Sequence, residues 1–234
     1  MLRFMTFYRF SNITTARGAL LKTVSKEYKY EFHQYEQEPS LMKQIKHLGY
    51  QLIDDPKTNK VILKKEFPTA KISIEFRGTP PPLEGKIKIP KEDQSLSQHP
   101  KYQDQIQTKT QEKKEVYDLG TLSVDYTVLI ESEKGEAVAF ECNTSNQTTF
   151  INSVQPVYDI QEYKTQSKYR KFITDYSGPE INKLDEQLKQ SFYTYLESFG
   201  INQSFNALIE AYSLDKEQRS YMQFLKSMER FLAI

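Results

Sequence analysis

The sequence predicts an α+β fold in which amphipathic helices cover the apolar face of an antiparallel sheet. Two observations lead to this prediction. Apolar residues recur every 3 or 4 positions in the C-terminal part of the chain, and every second position in its middle. Neither the helical stripes nor the apolar side of the strands can stay in water, so we expect them to pack on each other.

Length and charge restrict the class of protein. A chain of 234 residues is long enough for one domain with a sizeable core. No run of 18 apolar residues occurs, which argues against a membrane-spanning helix. The single cysteine excludes an internal disulfide and is typical of a reducing compartment. Beyond residue 24 the chain holds 28 basic and 31 acidic residues, and this net charge of −3 argues against a strongly electrostatic nucleic-acid binder.

The first 16 residues are predicted to be a mitochondrial targeting segment. Residues 1–24 contain four basic residues, several hydroxyl and aromatic residues, and no aspartate or glutamate. That composition is typical of a mitochondrial presequence, although a basic N-terminal arm is an alternative interpretation. Residues 17–234 are then a single domain.

Two helices are predicted before the sheet. In the first, from about Arg17 to Gln37, the apolar positions step by 3 or 4: Leu20, Val24, Tyr28, Phe32 and Tyr35. The second is a short amphipathic segment from Leu41 to Leu48 that ends at Gly49.

After Gly49 the period changes to two, and tight turns join the segments, which predicts an antiparallel meander. The predicted strands are residues 50–54, 60–66, 71–77, 122–131, 137–142 and about 148–158. In the fourth strand Val124, Tyr126 and Val128 share the apolar face, whereas Thr127 and Leu129 are expected to face water. Residues 143–146 are expected to form a turn.

Residues 78–118 are predicted to be a mobile polar loop within the domain. The segment starts with prolines, and residues 83–118 contain seven basic and seven acidic side chains with few apolar ones. Such a composition cannot bury enough apolar surface to offset the entropy lost on ordering. Residues 159–178 are predicted to be a second polar connection.

Three helices are predicted in the C-terminal region. Pro179 suits the first turn of one helix, and Gly200 suits its end. Asn202 is expected to cap a second, short helix, and Ser213 a third.

With these elements in order, the chain resembles the mitochondrial glycoprotein family, that of the mitochondrial acidic matrix proteins. Several short segments carry the resemblance: Tyr176-x-Gly178-Pro179, Leu184-Asp185-Glu186-x-Leu188, Phe192, Tyr195-Leu196, Gly200-Ile201-Asn202, Leu208, Lys216-Glu217, Tyr221, Phe224-Leu225 and Phe231-Leu232. Upstream, residues 25–31 resemble the family's first helix, and residues 122–142 resemble its central hairpin.

The resemblance implies a highly twisted, seven-stranded antiparallel sheet flanked by one N-terminal and two to three C-terminal helices. It also implies a doughnut-like trimer, and a non-enzymatic protein of the mitochondrial matrix that binds many ligands. Members of the family are typically acidic, and this chain differs from them in its small net charge.

No catalytic, cofactor-binding or metal site is predicted. His33, His47 and His99 lie in separate segments with no ligand spacing between them, so they are interpreted as surface residues. Cys142 lies on an apolar strand face and is interpreted as a small buried residue. Asp185 and Glu186 resemble an acid–base pair, but their place near a helix start favours a structural role.

A basic cluster raises the alternative of RNA binding, since stacking platforms need lysine or arginine on an exposed sheet. Its members are Lys60, Lys64, Lys65, Lys71, Arg77, Lys86 and Lys88. Charge clusters more often mark solvated faces. The prolines at residues 80–82 fit a polyproline ligand, but they fit a stiff loop start better.

The sequence is therefore interpreted as a non-catalytic scaffold of the mitochondrial matrix, a homo- or hetero-trimer of like subunits. We expect it to be a subunit or assembly factor of a large complex of the respiratory chain or the ribosome. A matrix RNA-binding or translation-associated factor is the alternative, and an enzyme has no support in the sequence.

Overall fold

The computed structural model describes residues 2–35, 39–80, 122–165, 176, 178–179 and 181–233, with side chains from residue 13 onward. One compact unit is built from residues 1–80 and 122–234. Its elements are α1 (Leu2–Gln34), α2 (Pro39–His47), β1 (Gln51–Asp54), β2 (Lys60–Phe67), β3 (Ala70–Arg77), β4 (Ser123–Ser132), β5 (Ala137–Ser145), β6 (Thr148–Val157), α3 (Ile160–Thr165), a 3₁₀ turn (Ile181–Lys183), α4 (Glu186–Ser198) and α5 (Gln203–Leu232). Within these ranges no helix combines the length and the apolar character needed to cross a membrane.

The strands form one antiparallel sheet in the order of the chain, from β1 to β6. Apolar residues line up across neighbouring strands: Leu63 lies opposite Ile74, Ile74 opposite Val128, and Val128 opposite Phe140. Such rows form because alternate side chains point to the same face of a sheet. The predicted antiparallel meander is confirmed.

The number and limits of the strands differ in part from expectation. The described residues contain six strands, not the seven that the family resemblance implies. Residues 143–145 continue β5, and the turn lies at Asn146 and Gln147, whose φ angles are 50° and 61°. Two successive residues with positive φ suit a two-residue hairpin turn, which explains why the strands extend further than predicted.

The helices cover one face of the sheet and enclose the main core. Phe76, Tyr126 and Phe140 of the strands are almost completely buried there. The ring of Phe205 in α5 lies 5.6 Å from that of Tyr50 and 6.4 Å from that of Tyr126, measured between centroids. The predicted packing of the helical stripes on the apolar face is confirmed for α2, α4 and the first half of α5. The predicted stripes of α1 and of the second half of α5 pack on each other instead.

The opposite face, hereafter the open face, is less exposed than the alternation predicts. Leu129 and Thr127 are buried, although both were expected to face water. Leu129 belongs to a small second core in which Tyr163 of α3 covers the β4–β5 surface. The predicted polar connection at residues 159–178 thus contains a short helix that packs on this face.

α1 packs antiparallel on the second half of α5. Arg17 Nε donates to the carbonyl oxygen of Leu232 (2.8 Å), and Gln218 Nε2 donates to Glu31 Oε2 (2.6 Å). Val24 and Leu225 are buried between the two helices. α1 starts at Leu2 and ends at Gln34, so it is one continuous helix across the predicted boundary at residue 16.

Within residues 181–233 the structure has two α-helices instead of the three predicted. The helix predicted from Pro179 begins only at Glu186, because Asp185 caps it by accepting from the N–H groups of Gln187 and Leu188. Gly200 follows its end with a φ of 87°, as predicted. Asn202 caps α5, but α5 then continues through residue 213 to Leu232.

Ser213 is not a cap because its hydroxyl has a partner outside the helix. Its Oγ donates to the carbonyl oxygen of Arg77 (2.7 Å), and its own carbonyl accepts from Thr79 N (3.3 Å). Gly78 lies between these two contacts, and a Cβ there would lie 2.8 Å from the Glu217 nitrogen. The end of β3 is therefore held directly against the middle of α5.

Candidate binding surfaces

A cluster of charged side chains, hereafter the charged junction, connects α1, β1 and α5. Lys216 Nζ donates to Asp54 Oδ1 (2.6 Å) and to the carbonyl oxygen of Asp55 (2.9 Å). The Tyr212 hydroxyl donates to Asp54 Oδ2 (2.8 Å). Arg219 Nη2 also lies 2.8 Å from Asp54 Oδ2.

The junction extends to α1 through Asp215. Arg219 Nε donates to Asp215 Oδ2 (2.8 Å), and the Tyr35 hydroxyl donates to Asp215 Oδ1 (2.8 Å). Residues 35 and 215 are 180 positions apart in the chain, so this contact fixes the end of α1 against α5.

The charges of the junction neutralise each other, which favours a structural role for the cluster. The Lys216 side chain is 1 % exposed, and two cations face two carboxylates. Burial raises the pKa of Asp54, but hydrogen bonds from Lys216, Tyr212 and Arg219 outweigh it and hold that pKa below its ordinary value. Asp54 is therefore ionised and fully engaged, and it offers no free base.

Sequence reasoning missed this junction. One signal was present: Lys216 follows Tyr212 by four positions, so a lysine occupies the face of α5 that carries apolar residues. Its partner Asp54 lies 162 positions away, and no local pattern connects the two.

The open face carries opposite charges in pairs. Lys60 Nζ lies 2.6 Å from Glu75 Oε2, and Lys164 Nζ lies 2.7 Å from Glu131 Oε1. At the β2–β3 turn Lys71 Nζ lies 3.0 Å from Glu66 Oε1. The face therefore presents a mixed surface of alternating sign.

A polar cluster holds α3 on this face. Thr127 Oγ1 donates to Glu141 Oε2 (2.9 Å), and the Tyr163 hydroxyl donates to Glu141 Oε1 (3.4 Å). Gln155 Nε2 donates to the same hydroxyl (3.5 Å). Burial, then the Glu141 charge, raises the pKa of Tyr163, so its hydroxyl remains a neutral donor.

The residues singled out from sequence are dispersed. His33 and His47 are exposed, as expected, and His99 lies outside the described residues. Cys142 is buried, as expected, and burial raises the pKa of its thiol. Across the part of the chain that the structure describes, no group of three His, Cys, Asp or Glu side chains is arranged to hold a metal ion.

Asp185 and Glu186 have the structural roles favoured by the sequence. Asp185 is the N-cap of α4, and Glu186 pairs with Lys189 at 2.7 Å. The Asp185 side chain is bound to the helix backbone, and the Glu186 side chain is bound to the next turn.

The basic cluster is divided by the fold. Lys60 and Lys71 pair with acids, and Lys65 lies on the helix-covered side with its Nζ 5.0 Å from the centre of the Phe67 ring. Lys64 and Arg77 are exposed. Lys86, Lys88 and two of the prolines at 80–82 lie outside the described residues.

Two solved structures share the fold. A hypothetical protein of Leishmania major, described as a homologue of the human p32 protein, superposes with a TM-score of 0.64 at 17 % identity. The p22 protein of Trypanosoma brucei superposes with a TM-score of 0.62 at 18 % identity. Each comparison covers 93 % of this chain and 99 % of the other chain.

Two relatives match in sequence. One is the mitochondrial acidic protein mam33 of Schizosaccharomyces pombe, 30 % identical over 111 residues. The other is an uncharacterised mitochondrial protein of Arabidopsis thaliana, 36 % identical over 110 residues. These matches cover 45 % and 47 % of this chain but only 40 % and 41 % of the relatives' length, and neither name describes an enzyme.

The sequence pattern of the mitochondrial glycoprotein family matches residues 24–232, which is most of the chain. The resemblance drawn from the short segments is therefore confirmed, and so is the predicted localisation. The chain belongs to the mitochondrial glycoprotein family, whose members reside in the mitochondrial matrix.

Proposed function

We propose that this protein is a non-catalytic scaffold that assembles as a ring of three like subunits, either identical or related. Its domain is residues 17–234, and residues 1–16 are its targeting segment. The observation that carries the proposal is the one-sided cover of the sheet. The helices of the main core bury one face, while the part of the open face that α3 leaves uncovered and the outer strands β1 and β6 remain for other subunits.

Exposed apolar side chains on the outer strands support this assembly. Ile53 of β1 lies opposite Ile62 on the open face, and Ile53 is more than one third exposed. Phe150 of β6 is about half exposed at the other edge. Heterologous contacts between one edge and the neighbouring face close into a ring when the rotation fits.

The paired charges of the open face support protein partners over a polyanion. A surface of alternating sign gives specific contacts with a complementary protein surface and little general attraction for phosphate. We therefore place the protein in a large mitochondrial assembly, as a subunit or an assembly factor. RNA binding, the alternative, depends on lysines that Glu75 and Glu66 neutralise in part.

Sedimentation equilibrium of residues 17–234 tests the ring. We expect a mass three times that of one chain, and we expect the Ile53→Glu variant to be a monomer because it places a charge in an apolar contact. Lys134→Glu, on an exposed turn away from both outer strands, is the matched control and should remain trimeric. A monomeric parent protein would contradict the proposal.

Partnership in a larger assembly is tested separately, on native gels of mitochondria that contain the tagged protein. We expect migration with a complex much larger than the free trimer. Migration only as the free trimer would contradict the proposed role in a larger assembly but would still agree with the proposed ring of three subunits. Strong salt-dependent RNA binding at about 50 mM salt would favour the alternative instead.

A further inference from the structure

The helical arm, which is the pair formed by α1 and the second half of α5, has a seam that fixes the direction of its other side chains. Apolar and aromatic residues recur along the seam at intervals of 3 or 4: Leu21, Val24 and Tyr28 of α1, and Tyr221, Leu225, Met228 and Leu232 of α5. Contacts from Arg17 to Leu232 and from Gln218 to Glu31 show that the two helices run antiparallel. The residues beside the seam therefore fall on two separate flanks of the arm.

One of these flanks carries three lysines. It is the side on which Ser25 Oγ of α1 donates to Glu229 Oε1 of α5 (2.6 Å). Lys22 and Lys29 lie three residues before and four residues after Ser25, and Lys226 lies three residues before Glu229. Because residues three or four apart share one side of a helix, all three lysines lie on the same side of the arm as that contact. All three are exposed.

Two further cations lie at the outer edges of the same flank. Lys26 and Arg230 each follow a residue of the Ser25–Glu229 contact by one, which places them on the side of their helix that is away from the seam. Both are exposed. Within the described ranges, none of the five cations forms an ion pair. We call these five residues the basic flank: Lys22, Lys26, Lys29, Lys226 and Arg230.

The carboxylates of this part of the arm are already engaged. Glu229, which lies in the flank itself, accepts from Ser25. On α1, Glu27 and Glu31 accept from side chains of α5 at 3.4 Å and 2.6 Å. The basic flank therefore has a local excess of positive charge, although the chain beyond residue 24 has a net charge of −3.

An exposed aromatic ring lies on the same side. Phe32 follows Ser25 by seven residues, which is two turns of the helix, and it is 59 % exposed. Its ring centre lies 6.0 Å from that of Tyr28, so the seam positions it. Lysines beside an exposed aromatic residue are typical of helices that lie at the interface of a membrane, where the ring sits among the head groups.

We propose that the basic flank binds the surface of an anionic phospholipid membrane, with Phe32 at the level of the head groups. Because register and axial rise place the five cations within about 15 Å along two adjacent helices, they form a patch and not a line. A patch of this form suits an extended surface better than a single strand of nucleic acid, which needs a positive groove along its backbone. Attraction to anionic lipids also needs no complementary shape. The proposal does not depend on the ring of three subunits.

Co-sedimentation of the full chain with vesicles tests the proposal. Vesicles of phosphatidylcholine are compared with vesicles in which about one third of the lipid is phosphatidylglycerol. We expect binding to the anionic vesicles to be at least about tenfold stronger, since cations near an anionic surface are attracted to it. This binding should weaken as the salt concentration rises from about 0.05 M to 0.5 M, because ions screen the attraction.

A triple variant locates the charge contribution. Lys22→Gln, Lys29→Gln and Lys226→Gln together should weaken binding to the anionic vesicles by more than about tenfold, since each lysine near such a surface contributes about fivefold. A matched control loses the same charge at three exposed lysines outside the arm: Lys43, Lys57 and Lys134. The control should change the binding by less than about threefold, because those lysines lie on other elements. Residues 1–16 are the same in both variants, so any contribution from them cancels.

A single variant tests the aromatic residue. Phe32→Ser should weaken binding to the anionic vesicles by about threefold to tenfold, and this ratio should persist at high salt because apolar burial is not screened. Tyr30→Ser is the matched control, since Tyr30 is 57 % exposed but lies on the opposite flank, and it should change the binding by less than about twofold. Circular dichroism confirms that each variant keeps its helices.

Four results would overturn the proposal. The first is equal binding to neutral and anionic vesicles. The second is an equal loss in the two triple variants, which would show that only the net charge matters. The third is binding of single-stranded poly-uridine RNA through the basic flank by a protein that does not bind vesicles. The fourth is a changed sedimentation mass of the triple flank variant, which would identify a contact between copies of this chain.

Discussion

The main core and the helical arm, which is the pair formed by α1 and the second half of α5, share the helix α5, but they are stabilised in different ways. The first half of α5 buries Phe205, Leu208 and Ile209 against a complete sheet. The second half packs on α1 in a separate cluster of three buried residues, Val24, Leu225 and Leu232, with a polar contact between Ser25 and Glu229 beside it. We infer that this one continuous helix belongs to two regions of unequal stability, since burial and not helix length determines the free energy of opening.

The largest effect is expected in the main core. Phe205→Ala removes a nearly fully buried ring that contacts Tyr50 and Tyr126, and it should lower the free energy of unfolding by about 3–5 kcal/mol. Denaturant unfolding measures it. The control is Phe224→Ala on the same helix, where an exposed ring should cost less than about 0.5 kcal/mol. Equal losses of unfolding free energy in the two variants would contradict the distinction between the main core and the helical arm.

The next effect is expected at the charged junction, where the two regions meet. Lys216→Met leaves the Asp54 carboxylate with one cation fewer in a buried place, and it should cost about 3 kcal/mol. The exposed Lys226→Met on the same helix is the control and should be close to neutral. A neutral Lys216→Met variant would mean that the junction is replaceable by apolar packing.

A smaller and local effect is expected in the arm. Leu225→Ala opens the seam beside Val24 and should cost about 2 kcal/mol, the lower end for such a change because the two helices can close toward each other. Hydrogen exchange should accelerate in residues 17–34 and 218–232 and remain unchanged in the strands. Acceleration in the strands as well would show that the arm is part of the main core.

The smallest effect is expected from pH. The folded pKa of Asp54 lies below its unfolded value, so its contribution to stability is present above about pH 4 and is lost as the pH falls through the folded value. The free energy of unfolding should therefore decline below about pH 4, and Asp54→Asn should decline less steeply over the same range. Equal slopes in the two proteins would place the acid sensitivity elsewhere.

Local periodicity was enough to predict the sheet and the existence of its helical cover. Ile72, Ile74 and Phe76 alternate with polar residues, and all three lie in the main core. Predictions failed where a distant contact replaced a local preference. Ser213 resembles a helix cap in sequence, but its hydroxyl donates to the carbonyl oxygen of Arg77. No pattern near Ser213 in the sequence predicts that distant partner.

The burial of residues on the open face also depends on distant contacts that local periodicity does not predict. Leu129 fits a water-facing position by alternation, and only the return of Tyr163 over it, 34 residues later, explains its burial. The charged junction could not be predicted because its two halves, Asp54 and Lys216, lie at opposite ends of the chain.

Native-state hydrogen exchange is the most direct measurement of the division between the main core and the helical arm. We predict that amides of β2–β5 exchange only through global unfolding, whereas amides of residues 17–34 and 218–232 exchange through a separate opening of lower free energy. Exchange of both groups through one opening, with equal free energy and equal denaturant dependence, would contradict the account.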